Sequence, residues 1–130
     1  MTEPSDALVA VYGTLKQGSA NHHWLAASPR LGRCQLKAIT LYDLGPYPGA
    51  KCEPSQGVDV EIYRVSRATF RQLDRLEDYR PNQPDAGEYD RQQLETPFGL
   101  AWVYLYNGPV TGVTAIRHGG WPCRPPPASC

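Results

Sequence analysis

The chain has no net charge to spend on a polyanion: its 13 Lys and Arg residues are balanced by 13 Asp and Glu. No run of like charges occurs. Nucleic acids and anionic membrane surfaces recruit proteins through an excess of basic residues, so neither is expected as a partner. Long apolar stretches are missing as well, and nothing approaches the roughly 20 residues needed to cross a bilayer. The opening Met1-Thr2-Glu3-Pro4-Ser5-Asp6 has no basic region followed by an apolar one, so no secretory signal is read there. A reducing, cytoplasmic location is the expectation. The cysteines, Cys34, Cys52, Cys123 and Cys130, never stand two or three residues apart as in zinc sites. Free thiols, buried or in the tail, are expected, with a Cys123–Cys130 disulfide as the alternative. His22 and His23 are adjacent and cannot share a helix face, and His118 stands alone, so no metal site is expected. A Gly-x-Ser-x-Gly nucleophile elbow is also lacking.

What is present fits one domain. The 130 residues are near the modal domain size and show no internal repeat. Residues 1–6 read as a flexible tail, 7–121 as a single domain and 122–130 as a proline-rich tail. Strands are predicted over about 7–12, 33–43, 58–62, 88–95 and 100–107, the last two joined by a turn at Thr96-Pro97-Phe98-Gly99. Val58-Asp59-Val60-Glu61-Ile62 alternates and should keep one wet face. The stretch Leu100 to Tyr106 is apolar on both faces, as in a central strand. Asn21 can cap a short helix ending before Pro29, and Ser66 a longer one over 67–78. Residues 45–49 and 81–87 read as loops. The pattern predicts an α+β fold, a small mixed β-barrel with flanking helices.

Two features carry chemistry. Leu8-Val9-Ala10-Val11 reads as a buried strand running into Tyr12-Gly13-Thr14-Leu15. Gly13 can take backbone angles closed to other residues, and successive N–H groups in such a turn form a nest for an anion. In the second helix, Phe70, Leu73 and Leu76 share one face, and the spacing puts Glu77 on that apolar stripe. Asp74, Arg75 and Asp78 should face solvent. Desolvation raises a carboxyl pKa toward neutrality and suits it to proton transfer.

These residues, taken with Gly18, Asn21-His22-His23-Trp24-Leu25, Leu73-Asp74-Arg75-Leu76-Glu77-Asp78-Tyr79, Tyr89-Asp90-Arg91, Val103-Tyr104-Leu105-Tyr106 and Gly120-Trp121, resemble the gamma-glutamyl cyclotransferase-like family. The resemblance runs over about residues 8–121 in the expected order. Two departures stand out: Asp78 lies where that family often has glycine, and His118-Gly119-Gly120-Trp121 replaces a serine–glycine–aspartate–tryptophan ending. Asp78 would add negative charge beside Glu77.

The resemblance implies a cofactor-free enzyme. The loop Tyr12, Gly13, Thr14 and Leu15 would hold the α-carboxylate of a γ-glutamyl group, and Glu77 would be the acid/base. Asn21, Tyr89 and Tyr104 would line the substrate site. The α-amine would attack its own γ-carbonyl, releasing 5-oxoproline and a free amine, as in glutathione metabolism or in removing a γ-glutamyl protecting group. The other half of the substrate would meet the loops 44–53 and 81–87. The alternative is a non-catalytic module binding a carboxylate-bearing metabolite. A monomer and a homodimer are both compatible with the sequence.

Overall fold

The computed structural model describes residues 6–83 and 85–121. Among these the chain forms β1 (Ala7–Val11), a 3₁₀ turn (His22–Leu25), β2 (Arg30–Leu36), β3 (Thr40–Asp43), β4 (Pro48–Lys51), β5 (Gly57–Val65), α1 (Arg67–Leu76), β6 (Tyr89–Thr96), β7 (Gly99–Tyr106), β8 (Ala115–Ile116) and β9 (His118–Gly119). Six strands make one sheet in the order β2-β5-β1-β7-β6, with β9 paired to β5. The other three make a small sheet, β4-β3-β8. β1 runs antiparallel to β5 and parallel to β7.

Side-chain alternation along these strands divides the core between two faces. Val9, Val11, Tyr63, Val65 and Tyr104 face α1 and pack against its Leu73. Ala10, Tyr12, Val60, Ile62 and Val103 face the small sheet and pack against Leu41 and Ala50. The result is three layers: helix, large sheet, small sheet. β7 lies inside the sheet, as its two apolar faces predict.

The fold is α+β, but among the described residues its sheets do not close into a barrel by backbone pairing. The path ends at β2 and β6. It curls instead, so that the Phe98 ring at the β6–β7 turn packs on Gly32 of β2. A Cβ there would lie 2.4 Å from the ring.

Three local expectations change. The stretch 33–43 breaks into β2 and β3, and the loop at 45–49 holds the start of β4. Pro48 can open β4 because that strand is an edge, where a missing N–H leaves no ladder bond unmade. The wet face of β5 is wet only at Asp59. Glu61 is 8% exposed, and its Oε1 accepts from the Gln17 N–H and the Tyr63 hydroxyl, each at 2.8 Å.

Ser66 caps α1, its Oγ accepting from the Thr69 N–H at 3.1 Å. The helix stops at Leu76 rather than 78. Asp78 takes a left-handed φ of 54°, and the N–H groups of Asp78 and Tyr79 bond back to the carbonyls of Arg75 and Asp74 at 3.1 and 2.8 Å. This is a Schellman ending with aspartate in the usual glycine place. The left-handed angle costs about 1 kcal/mol for an L-residue. The side chain offsets it: Oδ2 accepts from the Glu88 N–H at 3.1 Å, and Oδ1 pairs with Arg80 at 3.3 Å.

None of the described helices is long and apolar enough to cross a membrane. Cys34 is half-buried and free, while Cys52 is free but exposed. Residues 1–5 and the tail 122–130, with the Cys123–Cys130 pairing, lie outside the described residues.

Candidate active site

Beyond β1 the chain enters a loop in which three successive carbonyls, those of Gly13, Thr14 and Leu15, are engaged. Gly13 O accepts from the Lys16 N–H at 3.0 Å, and Thr14 O from the Asn21 N–H at 2.8 Å. Leu15 O lies 3.0 Å from His22 Nδ1, which donates in the tautomer protonated there. Glu61 takes the Gln17 N–H on the far side. With these carbonyls engaged, the loop keeps the N–H groups of Thr14 and Leu15, which donate to no other described residue. These two donors are the candidates for the expected anion nest.

Gly13 serves this loop differently from the expectation. Its φ is not positive. What it provides is close approach, since a Cβ would sit 2.7 Å from Pro48 Cγ. Asn21 does not cap the 3₁₀ turn with its side chain. Its Nδ2 donates to Thr14 Oγ1 at 3.0 Å and braces the nest.

The loop forms one wall of a cavity of about 330 Å³. Tyr12, Gly13, Thr14, Leu15, Asn21, Glu77, Tyr89 and Tyr104 all line it, together with Pro46, Tyr47, Pro48 and Glu88. All eight residues singled out in the sequence therefore meet in one place.

Glu77 is the C-cap, the first residue past the end of α1, with φ −87° and ψ 0°, and its N–H still bonds to Leu73 O at 2.9 Å. The residue keeps some contact with solvent, but its carboxyl group is enclosed. Burial pushes the carboxyl up to about 7, and the charge of Glu88 adds to the shift. The negative end of the helix dipole works in the same direction. The expected contribution of Asp78 is absent. Its carboxylate is turned to Arg80 and the Glu88 N–H, which hold it below the usual aspartate range.

Tyrosine hydroxyls surround this carboxyl. Those of Tyr12, Tyr89 and Tyr104 titrate higher than usual chiefly because they are buried, and that of Tyr47 chiefly because of its bond to Glu88; Glu77's charge adds to each. Tyr12 is fully committed to backbone, donating to Tyr104 O at 2.7 Å and accepting from the Ala50 N–H at 3.1 Å. Tyr89 donates to Pro48 O at 2.7 Å, and Tyr47 to Glu88 Oε2 at 2.6 Å. Tyr104 donates to Asp74 Oδ1 at 2.7 Å.

Asp74 is therefore not a solvated residue. It is half-buried on α1, and Arg91 Nε lies 3.5 Å from the same Oδ1. Arg91 is the cross-strand neighbour of Tyr104. Its guanidinium sits 4.1 to 4.5 Å from the ring centroids of Phe70, Tyr79 and Trp102. Sequence reasoning missed Asp74, Tyr47 and Glu88 as site residues. For Asp74 the signal was the alternation of β6 and β7, which puts Tyr89, Arg91, Trp102 and Tyr104 on the helix-facing side.

The site thus offers two N–H donors on one wall and a carboxyl near neutrality, ringed by hydroxyls, on the other. It can hold an anionic group and exchange a proton beside it. A profile of the family described as gamma-glutamyl cyclotransferase, AIG2-like, matches residues 9–123. The gamma-glutamylcyclotransferase family protein ytfP of Citrobacter rodentium is 41% identical over 114 residues, covering 87% of this chain and 93% of that protein. The gamma-L-glutamyl-butirosin B gamma-glutamyl cyclotransferase of Niallia circulans is 35% identical over 102 residues, covering 75% and 65% of the two chains. The solution NMR structure of ytfP from Escherichia coli superposes with a TM-score of 0.69 at 40% identity, covering 90% of this chain and 97% of that one. The match over most of the chain and these relatives place it: the chain belongs to the gamma-glutamyl cyclotransferase, AIG2-like, family of enzymes.

Proposed function

We propose that the protein is a cofactor-free cyclotransferase that converts a γ-glutamyl amine to 5-oxoproline and the free amine. The observation that carries this is a single cavity with the unpaired Thr14 and Leu15 N–H groups on one wall and the enclosed Glu77 carboxyl, at about 7, on another. Its volume lies within the roughly 300–1,000 Å³ of small-molecule sites.

In this reading the amides take the α-carboxylate and orient the α-amine. The nucleophile is already part of the substrate, so the protein has only to select the folded-back conformer. Ionised Glu77 removes a proton from the α-ammonium. The freed lone pair attacks the γ-carbonyl, and a new C–N bond closes the five-membered ring. Glu77 returns its proton to the departing nitrogen as the old C–N bond breaks, then takes the second proton from the ring nitrogen. Of the three ammonium protons, one stays on the lactam and two end on the amine once it reaches water. A carboxyl near neutrality can carry both in turn.

The charges of the lining favour an amine over an amino acid as the leaving half. Two carboxylates, Glu77 and Glu88, face the cavity, and no Lys, Arg or His is among the described lining residues. A leaving group with its own carboxylate would meet Glu88 unpaired.

Incubation with γ-glutamyl amines and γ-glutamyl α-amino acids of matched size, with assay of 5-oxoproline, tests the reading. Turnover is expected with the amines. Glu77→Gln should lower kcat by about 10² to 10⁴, the usual worth of a general acid/base. A variant that turns over at the native rate would remove Glu77 from the chemistry.

A further inference from the structure

Besides Tyr12, whose proton goes to the Tyr104 carbonyl, three of the cavity's tyrosine hydroxyls have their protons fixed by protein acceptors. For Tyr104 the acceptor is the Asp74 carboxylate, 2.7 Å away; for Tyr89 it is the Pro48 carbonyl, also at 2.7 Å; for Tyr47 it is Glu88. A hydroxyl has one proton to donate and two lone pairs. Once the proton is committed, such an oxygen can only accept. Tyr104 is the most firmly set of the three. Its phenol titrates well above the usual range because of burial and the bond to Asp74, so the proton stays on Tyr104 and the charge on Asp74. Asp74 is in turn braced by Arg91, which is clamped among three aromatic rings.

The site is thus polarised: N–H donors at the loop, hydroxyl acceptors beside Glu77. An attacking amine places the matching demand on it. While its lone pair points at the γ-carbon, its remaining N–H bonds need acceptors. A donating hydroxyl there would instead bind the lone pair and hold the amine back.

We infer that the hydroxyl oxygens of Tyr104 and Tyr89 form an acceptor seat for the substrate's α-amine, and that Asp74, braced by Arg91, is a positioning residue that keeps Tyr104's proton out of the cavity. The inference rests on the reaction proposed above and adds the groups that select an amine-bearing substrate.

The test is a binding ratio, measured by calorimetry in the Glu77→Gln background, where turnover is blocked. The two ligands are γ-glutamyl propylamide and N-propylglutaramate, which differ only in the α-amine. The amine-bearing ligand should bind at least about tenfold more tightly, the lower end for a hydrogen bond to a charged group. Adding Tyr104→Phe should cut that ratio about tenfold and leave the affinity for N-propylglutaramate within about twofold. Asp74→Ala, which frees the Tyr104 proton, should do the same. A ratio that Tyr104→Phe leaves intact overturns the inference. So does a parallel loss of affinity for both ligands, which marks damage to the cavity's shape. If the native protein makes no 5-oxoproline but the ratio behaves as expected, the reaction fails and the amine seat stands.

Discussion

Glu77→Gln should make the protein more stable above neutral pH while removing its chemistry. The carboxyl titrates at about 7 in the folded chain against an ordinary 4.5, chiefly because burial strips it of water. The native state therefore binds the proton more tightly than the unfolded one. A group raised in this way contributes stability that is complete below the unfolded pKa and is lost as pH rises through the folded one. Between about 4.5 and 7 the native protein gives up this contribution, and above 7 none remains. At about 1.4 kcal/mol per pH unit the loss is about 3 kcal/mol. A glutamine has the same shape and no charge to desolvate, so the variant should show no such loss. Urea unfolding of both proteins, without ligand, at pH 4.5, 6 and 8.5 reads the difference directly. Every other titrating group is common to the two proteins and cancels. The expected gap is near zero at the lowest pH and about 3 kcal/mol in favour of the variant at the highest, or roughly 10 °C in Tm for a domain of this size. Parallel stability curves would refute the burial argument. A variant less stable at pH 8.5 would mean that the Glu77 carboxylate has a stabilising partner.

The same titration sets the activity profile: kcat/KM should fall about tenfold per pH unit below about 7, where Glu77 holds a proton and cannot take one from the substrate. Because the charge of Glu88 helps raise that value, Glu88→Gln should move the acid limb to lower pH, visible in initial rates of 5-oxoproline formation. Gly87→Ala should cost about 3 kcal/mol or more in chemical denaturation, because its Cβ would fall 1.9 Å from the Asp78 carbonyl oxygen, which the Schellman ending holds in place. Tyr12→Phe should cost about 2–3 kcal/mol by the same measurement, since it strands the buried Ala50 N–H and the Tyr104 carbonyl together.

The sequence made the catalytic candidate legible and hid the network behind it, and the reasons differ residue by residue. Glu77 could be found because helical periodicity is local: Phe70, Leu73 and Leu76 mark the sheet-facing side, and the next position follows from 3.6 residues per turn. Ser66 could be found as a cap for the same reason. The end of the helix could not. Its stop depends on a left-handed residue, and aspartate at 78 gives no glycine signal, although its side chain supplies the compensating bond to the Glu88 N–H. Asp74 read as solvated because its acceptor role is set by Tyr104, 30 residues away, and that pairing exists only once the sheet has formed. Glu61 misled for the same reason: strict alternation assigned it to water, while the Gln17 N–H and the Tyr63 hydroxyl enclose it. The small sheet escaped because β8 is two residues long and β3 and β4 four each, too short to show a period.

The meeting of the nest with Glu77 follows from topology and length together. β1 runs toward the loop at 12–15, and β5 returns antiparallel beside it, ending level with the start of β1. α1 begins directly after β5 and must travel back across the sheet in the direction of β1. Five strand residues at about 3.3 Å span roughly 16 Å, and ten helical residues at about 1.5 Å span roughly 15 Å. The helix therefore runs out where β1 does, and its first residue past the end is Glu77. A helix one turn longer would carry that position about 5 Å beyond the loop, while one turn shorter would leave it over the apolar face of the sheet beside Val9 and Val65. The Schellman ending at Asp78 is what fixes this length. It places the carboxyl at the edge of the core, close enough to lose its water and still open to a ligand in the cavity. By this argument the residue at 78 acts on the site through the position of the helix end rather than through its own charge.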